Sequence, residues 1–141
     1  QYGNFTGNVD RWHYYYLHLP CTAVIDFGSV DTALALPEER RHEGCQIYAL
    51  HFMTPVARNY TIDRWMHIRN PAVGDEAVAE KMDAMFKIAF DEDKAILEAI
   101  QVEEEKPKSR PPVRLAIDKG SNVYRKRIDR LIRSELLQAA E

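Results

Sequence analysis

Residues 45–68 read CQIYALHFMTPVARNYTIDRWMHI. This stretch is rich in β-branched and aromatic residues, which predicts two strands, at 45–53 and 59–68, with a break at Thr54-Pro55. Successive side chains of a strand point to opposite faces of a sheet. One face of the second strand therefore carries Tyr60, Ile62, Arg64, Met66 and Ile68. The other face carries Thr61, Asp63, Trp65 and His67.

Two earlier segments also have the character of strands. Residues 11–19 are rich in aromatic side chains and end at Pro20, and residues 22–27 are bounded by Gly28. The charged segment 29–44, which precedes the stretch quoted above, predicts a solvated loop. The first two-thirds of the chain therefore predict a sheet of sequential strands.

The last third of the chain has helical periodicity. Asp75 and Glu76 are suitable first-turn acids for a helix at about 75–105. Its apolar stripe recurs every three or four positions and consists of Met82, Met85, Phe86, Ala89, Phe90, Ile96, Leu97 and Ile100. A second helix is predicted at about 121–139. The predicted fold class is α+β, an antiparallel sheet curled around the long helix in a helix-grip, START-like arrangement that can enclose a small-molecule pocket.

Composition and charge restrict the class of protein. The chain has 141 residues, 45% of them hydrophobic and 29% charged, with a net charge of −3, which is the balance of one soluble domain. It has no basic patch for nucleic acid or an anionic membrane and no apolar run of about 18 residues. We therefore expect a cytoplasmic protein with neither partner. Because the chain begins with Gln1, we expect it to be a piece of a longer polypeptide. Its two cysteines, Cys21 and Cys45, do not have the spacing of a metal-cluster motif.

Three polar residues lie in apolar surroundings and are candidates for a site. Asp93 falls on the apolar stripe of the long helix, and a buried carboxylate is either paired with an Arg or a Tyr hydroxyl or bound to a metal. His51 stands in the strand YALHFM, where it is either a core or surface histidine or a ligand contact. Asp26 stands in AVIDF, either hydrogen-bonded within the sheet or facing a cavity.

A further set of residues has the form of a metal motif. Asp10, His13 and His18 give D-x-x-H-x-x-x-x-H, the form of the iron-binding motif of Rieske oxygenases. In a strand, however, His13 and His18 lie an odd number of residues apart and point to opposite faces. We therefore expect that these two histidines do not share a metal.

Four segments, in order, resemble one family. They are GNVDRW at 7–12, LHFMTP at 50–55 with RN at 69–70, FDEDKAILEAIQ at 90–101, and AIDKGSNVYRKRIDRLI at 116–132. Together they resemble the C-terminal part of the catalytic domain of Rieske-type non-haem iron oxygenases, in the branch of the vanillate and dicamba O-demethylase oxygenases. On this resemblance the whole chain, 1–141, is one part of an oxygenase catalytic domain.

The resemblance implies roles for the same three residues. Asp93 matches the carboxylate of a two-histidine, one-carboxylate Fe(II) site. His51 matches a histidine that lines the substrate pocket, and Asp26 falls where a relative has a pocket-lining Asn. Because an ionised carboxylate only accepts hydrogen bonds, Asp26 would suit a substrate with a hydroxyl, amine or N–H group. The two iron histidines and the Rieske [2Fe–2S] motif would lie upstream, so the chain alone is expected to be inactive.

The implied function is that of a terminal oxygenase component. It would activate O₂ at mononuclear Fe(II) and hydroxylate or demethylate a small aromatic or heterocyclic substrate. Its electrons would come from a reductase or ferredoxin, and the full-length protein would be a homotrimer. Two alternatives remain: a small non-enzymatic helix-grip module that binds an apolar ligand, and an independent metalloenzyme that uses His13, His18 and Asp93.

Overall fold

The computed structural model describes residues 5–107, 113 and 115–139. Four strands form one open antiparallel sheet in sequence order, and they are β1 (Val9–His18), β2 (Thr22–Asp31), β3 (Cys45–Ala57) and β4 (Tyr60–Arg69). Two helices follow, α1 (Glu76–Glu105) and α2 (Lys119–Gln138). The predicted α+β class, in which an antiparallel sheet packs against a long helix, is confirmed. Within the described ranges, no helix combines the length and apolar character needed to cross a bilayer.

Helix α1 packs on one face of the sheet, which we call the helix-facing face. The ring of Phe86 stacks on His67 with 3.7 Å between centroids. One turn later, Phe90 meets His51 and Trp65 edge-on, each at 5.0 Å. The buried apolar residues on this side are Cys45, Ile47, Ala49 and Met82. Aromatic packing thus fixes the first half of α1 on the face that carries Trp65 and His67.

The sequence pattern predicts that strand β2 ends at Gly28, but in the structure the strand continues to Asp31. A Cβ added at Gly28 would lie 2.2 Å from the carbonyl oxygen of Cys45 and 2.3 Å from the ring of Trp12. Glycine in a strand often marks such a close approach. Gly28 therefore makes room for the Trp12 indole and does not interrupt the strand.

Gly28→Ala is expected to lower the free energy of unfolding by about 1–3 kcal/mol, because the added methyl group has no space. Gly120→Ala is the matched control, since a Cβ there meets nothing within 4 Å and alanine favours the helix. Urea unfolding followed by circular dichroism measures both changes. Equal stability of the two variants would contradict the proposed packing of Trp12 over Gly28.

Strand β3 also extends further than the sequence pattern predicts. It runs through Pro55 to Ala57, and its register with β4 shifts between these two residues. Proline has no N–H to donate, and such a residue is tolerated in a strand at an irregularity. The predicted break at Thr54-Pro55 is thus an irregular end of the strand.

Helix α2 meets the sheet near the turn between β1 and β2. The hydroxyl of Tyr124 donates a hydrogen bond to the carbonyl oxygen of Pro20. The apolar residues of its last turns are exposed, namely Leu131, Ile132, Leu136 and Leu137. The predicted second helix is confirmed, but its apolar side is covered only near its start.

Candidate functional site

His51 lies in β3 on the helix-facing face, directly opposite Trp65 of β4. Its side chain is 13% exposed, and its Nδ1 lies 2.7 Å from Oδ2 of Asp63. A carboxylate only accepts hydrogen bonds, so Nδ1 carries the proton and donates it to Asp63. Phe90 closes over the ring edge-on. The imidazole is thus held on two sides, and Nε2 is the nitrogen through which it would meet a ligand.

His67 is a second histidine on this face, and it was not among the site residues predicted from the sequence. Its Nε2 is buried and has no hydrogen-bond partner among the described residues. Burial lowers the pKa of His67 to about 4, the charge of His51 acts in the same direction, and Asp83 opposes both. The ring is therefore neutral at physiological pH. An open cleft of about 450 Å³ lies beside it, lined in part by Trp65, Arg69, Glu80 and Asp83.

Asp93 lies on α1 and is exposed. The prediction that Asp93 is buried against the sheet is therefore wrong in the part of the chain that the structure describes. It stands two helical turns after Phe86, and so on the same side of the helix. Beyond Phe90, however, the apolar stripe of α1 is no longer covered by the sheet, since Ile96 is 59% and Ile100 49% exposed. Position on an apolar stripe therefore does not bury Asp93 here.

Asp26 lies in β2 on the opposite face of the sheet, which we call the far face. It is only 3% exposed. It accepts hydrogen bonds from Trp12 Nε1 at 2.8 Å, Arg41 Nη2 at 2.8 Å and Gln46 Nε2 at 2.9 Å. Burial acts to raise the pKa of Asp26, but the three donors together hold it below the ordinary value. Of the two alternatives left open by the sequence, the carboxylate is hydrogen-bonded within the protein.

His51 and Asp26 do not line one cavity, which corrects the expectation drawn from the resemblance. Asp26 pairs with Tyr48, and His51 follows Tyr48 by an odd number of residues. Side chains an odd number apart in a strand lie on opposite faces. The inference that the substrate donates a hydrogen bond to Asp26 loses its basis, because that carboxylate is engaged by protein donors on the far face.

His13 and His18 also lie on opposite faces, as predicted. Both belong to β1, where His13 pairs with Phe27 and His18 with Thr22. Both are exposed, and the ring of His13 contacts Phe27 with 5.1 Å between centroids. Among the described residues, no group of three or more His, Cys, Asp or Glu side chains is arranged to hold a metal ion. An independent metal site built from His13, His18 and Asp93 has no geometric support.

Comparisons with known proteins identify relatives of the chain. It is 34% identical over 132 residues to a putative toluene-4-sulfonate monooxygenase system iron-sulfur subunit of Comamonas testosteroni. It is 33% identical, over the same length, to a toluene-4-sulfonate monooxygenase system iron-sulfur subunit of that organism. Each alignment covers 93% of this chain and 38% of the relative, so the chain spans well under half of their length. No solved structure matches.

A family model gives the assignment directly. The model described as the vanillate O-demethylase oxygenase C-terminal domain matches residues 1–134, nearly the whole chain. The iron-sulfur subunits of monooxygenase systems among the relatives agree with it. The chain therefore belongs to the vanillate O-demethylase oxygenase C-terminal domain family.

Proposed function

We propose that this chain is the C-terminal part of the catalytic domain of a terminal oxygenase that oxidises a small aromatic or heterocyclic substrate. Support comes from the family match and from relatives whose names describe iron-sulfur subunits of toluene-4-sulfonate monooxygenase systems. The Rieske [2Fe–2S] cluster and two iron-binding histidines would come from the upstream part of the full-length oxygenase. Electrons would come from a reductase or ferredoxin, and the assembly would be a homotrimer.

The structural observation that supports the proposal is the packing of Phe90 against His51 on the helix-facing face. Phe90, one turn before Asp93 on α1, packs edge-on against His51 at 5.0 Å. Asp93, although exposed, lies on the same side of α1 as Phe90, toward the space beside the second half of the helix. The exposure of Ile96 and Ile100 leaves that space open in the described chain. An upstream part of the protein that covers it would enclose both residues in one cavity.

The described residues fit a mononuclear iron site only in part. Asp93 offers a carboxylate, which suits Fe(II), but the described chain holds no cluster of three ligands. Asp93 would therefore act with two histidines from the upstream part. When bound, the iron would supply O₂ activation, which no side chain of this chain can provide.

The chain's own residues would bind and orient the substrate. Trp65 and Phe90 provide an apolar wall beside His51. His51 Nε2 would hydrogen-bond a polar group of the substrate, and toluene-4-sulfonate is the probe suggested by the relatives' names. Apolar walls with few orienting polar contacts are typical of small-molecule sites. A sulfonate oxygen would accept a hydrogen bond from Nε2–H of the doubly protonated ring, while Nδ1–H donates to Asp63.

His51→Ala in the full-length oxygenase is expected to weaken toluene-4-sulfonate binding about tenfold or more, since one hydrogen bond to a charged group is lost. Iron per chain should stay unchanged. His18→Ala is the matched control, because His18 is an exposed histidine of the same sheet on the far face. Calorimetry measures binding, and elemental analysis measures iron. Equal loss of iron and binding would assign His51 a structural role.

The non-enzymatic binding module is the competing hypothesis. It would use the same apolar wall but would require neither iron nor electrons. Turnover separates the two, because the full-length oxygenase with a reductase should consume O₂ and convert the aromatic substrate. A full-length protein that binds toluene-4-sulfonate and related aromatic acids, holds iron and a reducible cluster, yet converts none of them, would refute the proposal. Family membership favours the oxygenase.

A further inference from the structure

We propose that Asp63 positions the catalytic-pocket histidine, His51, by holding its Nδ1 proton, so that Nε2 alone meets the substrate. This inference rests on the proposed substrate contact of His51. Asp63 itself would touch neither substrate nor iron. Its role follows from the 2.7 Å contact between its Oδ2 and Nδ1 of His51.

Strand register explains why this carboxylate reaches that nitrogen. His51 pairs directly with Trp65, and Asp63 pairs with Met53, two residues further along β3. Asp63 is therefore the diagonal neighbour of His51 on the helix-facing face, a separation within reach of long side chains. Trp65 occupies the directly opposite position, so the imidazole must turn toward Asp63 to make a hydrogen bond on this side.

The hydrogen bond fixes the chemistry of the other nitrogen. In neutral imidazole one nitrogen donates and the other accepts, and the partner of one decides the state of the other. With Nδ1–H directed at Asp63, Nε2 accepts from a substrate in the neutral ring and donates to an anion in the protonated ring. Without Asp63, the doubly protonated ring would lose its carboxylate partner and could rotate about its Cβ–Cγ bond, so Nε2–H would no longer be held toward an anionic group of the substrate.

The burial of His51 supports a positioning role for Asp63 over a simple surface ion pair. The His51 side chain is 13% exposed and the Asp63 side chain 41%. The histidine is also wedged by Phe90, whose ring stands at 79° to the imidazole. By contrast, Lys87 and Asp91 form an exposed pair with 66% and 64% exposure. Of these two pairs, only the one at His51 holds a ring that is otherwise packed against aromatic side chains.

A double-mutant cycle in the full-length oxygenase tests the inference. Asp63→Ala, His51→Ala and the double variant are compared for toluene-4-sulfonate binding, iron per chain and thermal midpoint. Asp63→Ala is expected to weaken binding about tenfold when His51 is present and hardly at all when it is absent, because the two residues act as a unit. Iron per chain should not change. Asp129→Ala removes an exposed carboxylate of α2 and serves as the control.

The outcomes separate this inference from the proposed function. If His51→Ala leaves binding unchanged, both the substrate contact and the role of Asp63 are overturned. If His51→Ala weakens binding but Asp63→Ala does not, only the positioning role falls. The same loss from Asp63→Ala in both backgrounds would show a general structural effect and would also overturn it. Asp63→Asn, which keeps an acceptor oxygen, should retain more affinity than Asp63→Ala.

Discussion

Full-length oxygenase that carries Asp93→Ala is expected to lose its mononuclear iron while it keeps the Rieske cluster. The proposed site has three protein ligands, and two histidines without the carboxylate would hold ferrous ion weakly. The contacts of Phe86 and Phe90 with the sheet do not involve Asp93, so the helix should remain in place. Elemental analysis gives total iron, and the visible absorption of the cluster gives the Rieske share. Their difference is the mononuclear iron.

Asp91→Ala is the matched control for this experiment. Asp91 lies on the same helix, is exposed and pairs with Lys87 at 2.6 Å. It should keep full mononuclear iron and activity. Retention of mononuclear iron in Asp93→Ala would place the carboxylate ligand elsewhere in the protein, and the assignment of Asp93 would be wrong.

Asp26→Ala is expected to lower the free energy of unfolding by about 3 kcal/mol. The change leaves the donors of Trp12, Gln46 and Arg41 without their shared acceptor, and unsatisfied buried donors cost roughly 1–3 kcal/mol. Loss of one partner of a buried ion pair costs roughly 3–5 kcal/mol. The Arg41 side chain is 21% exposed and can regain water, which favours the lower end. Denaturant unfolding followed by Trp fluorescence measures the loss.

Asp26→Asn removes the charge of the side chain but keeps its shape. Its effect on the free energy of unfolding is expected to depend on pH. Because the folded pKa of Asp26 lies below its ordinary value of 3.8, the ionised carboxylate contributes stability that is full above that value. This contribution is lost as the pH falls through the lower, folded pKa. The stability difference between wild type and Asp26→Asn should therefore be constant near neutral pH and shrink below about pH 4.

Glu43→Gln is the control for Asp26. Glu43 forms an exposed pair with Arg40 on the 3-10 helix Glu38–Glu43, which also carries Arg41. Exposed pairs contribute little, so this variant should unfold almost like wild type. If Asp26→Ala were as stable as Glu43→Gln, the buried network would not hold the segment between β2 and β3 to the sheet.

The sequence by itself determined the elements of the fold and the family. Period-two alternation in 59–68 placed Trp65 and His67 on one face. The three-to-four spacing of apolar residues predicted a long helix at about 75–105, and the structure has it at Glu76–Glu105. These signals are local, because side-chain direction within one strand or helix depends only on the geometry of that element. The placement of His13 and His18 on opposite faces of the sheet was predicted in the same way.

Only the tertiary structure decided which polar residues come together. The alternation of side chains relates residues within one strand but not residues in two strands joined by a loop. The pairing of Asp26 with Tyr48 was therefore needed to place Asp26 and His51 on opposite faces of the sheet. The role of Gly28 depends on Trp12 of another strand. The exposure of Asp93 depends on where the sheet stops covering α1. Each of these features results from contacts between residues distant in the chain, which local periodicity does not encode.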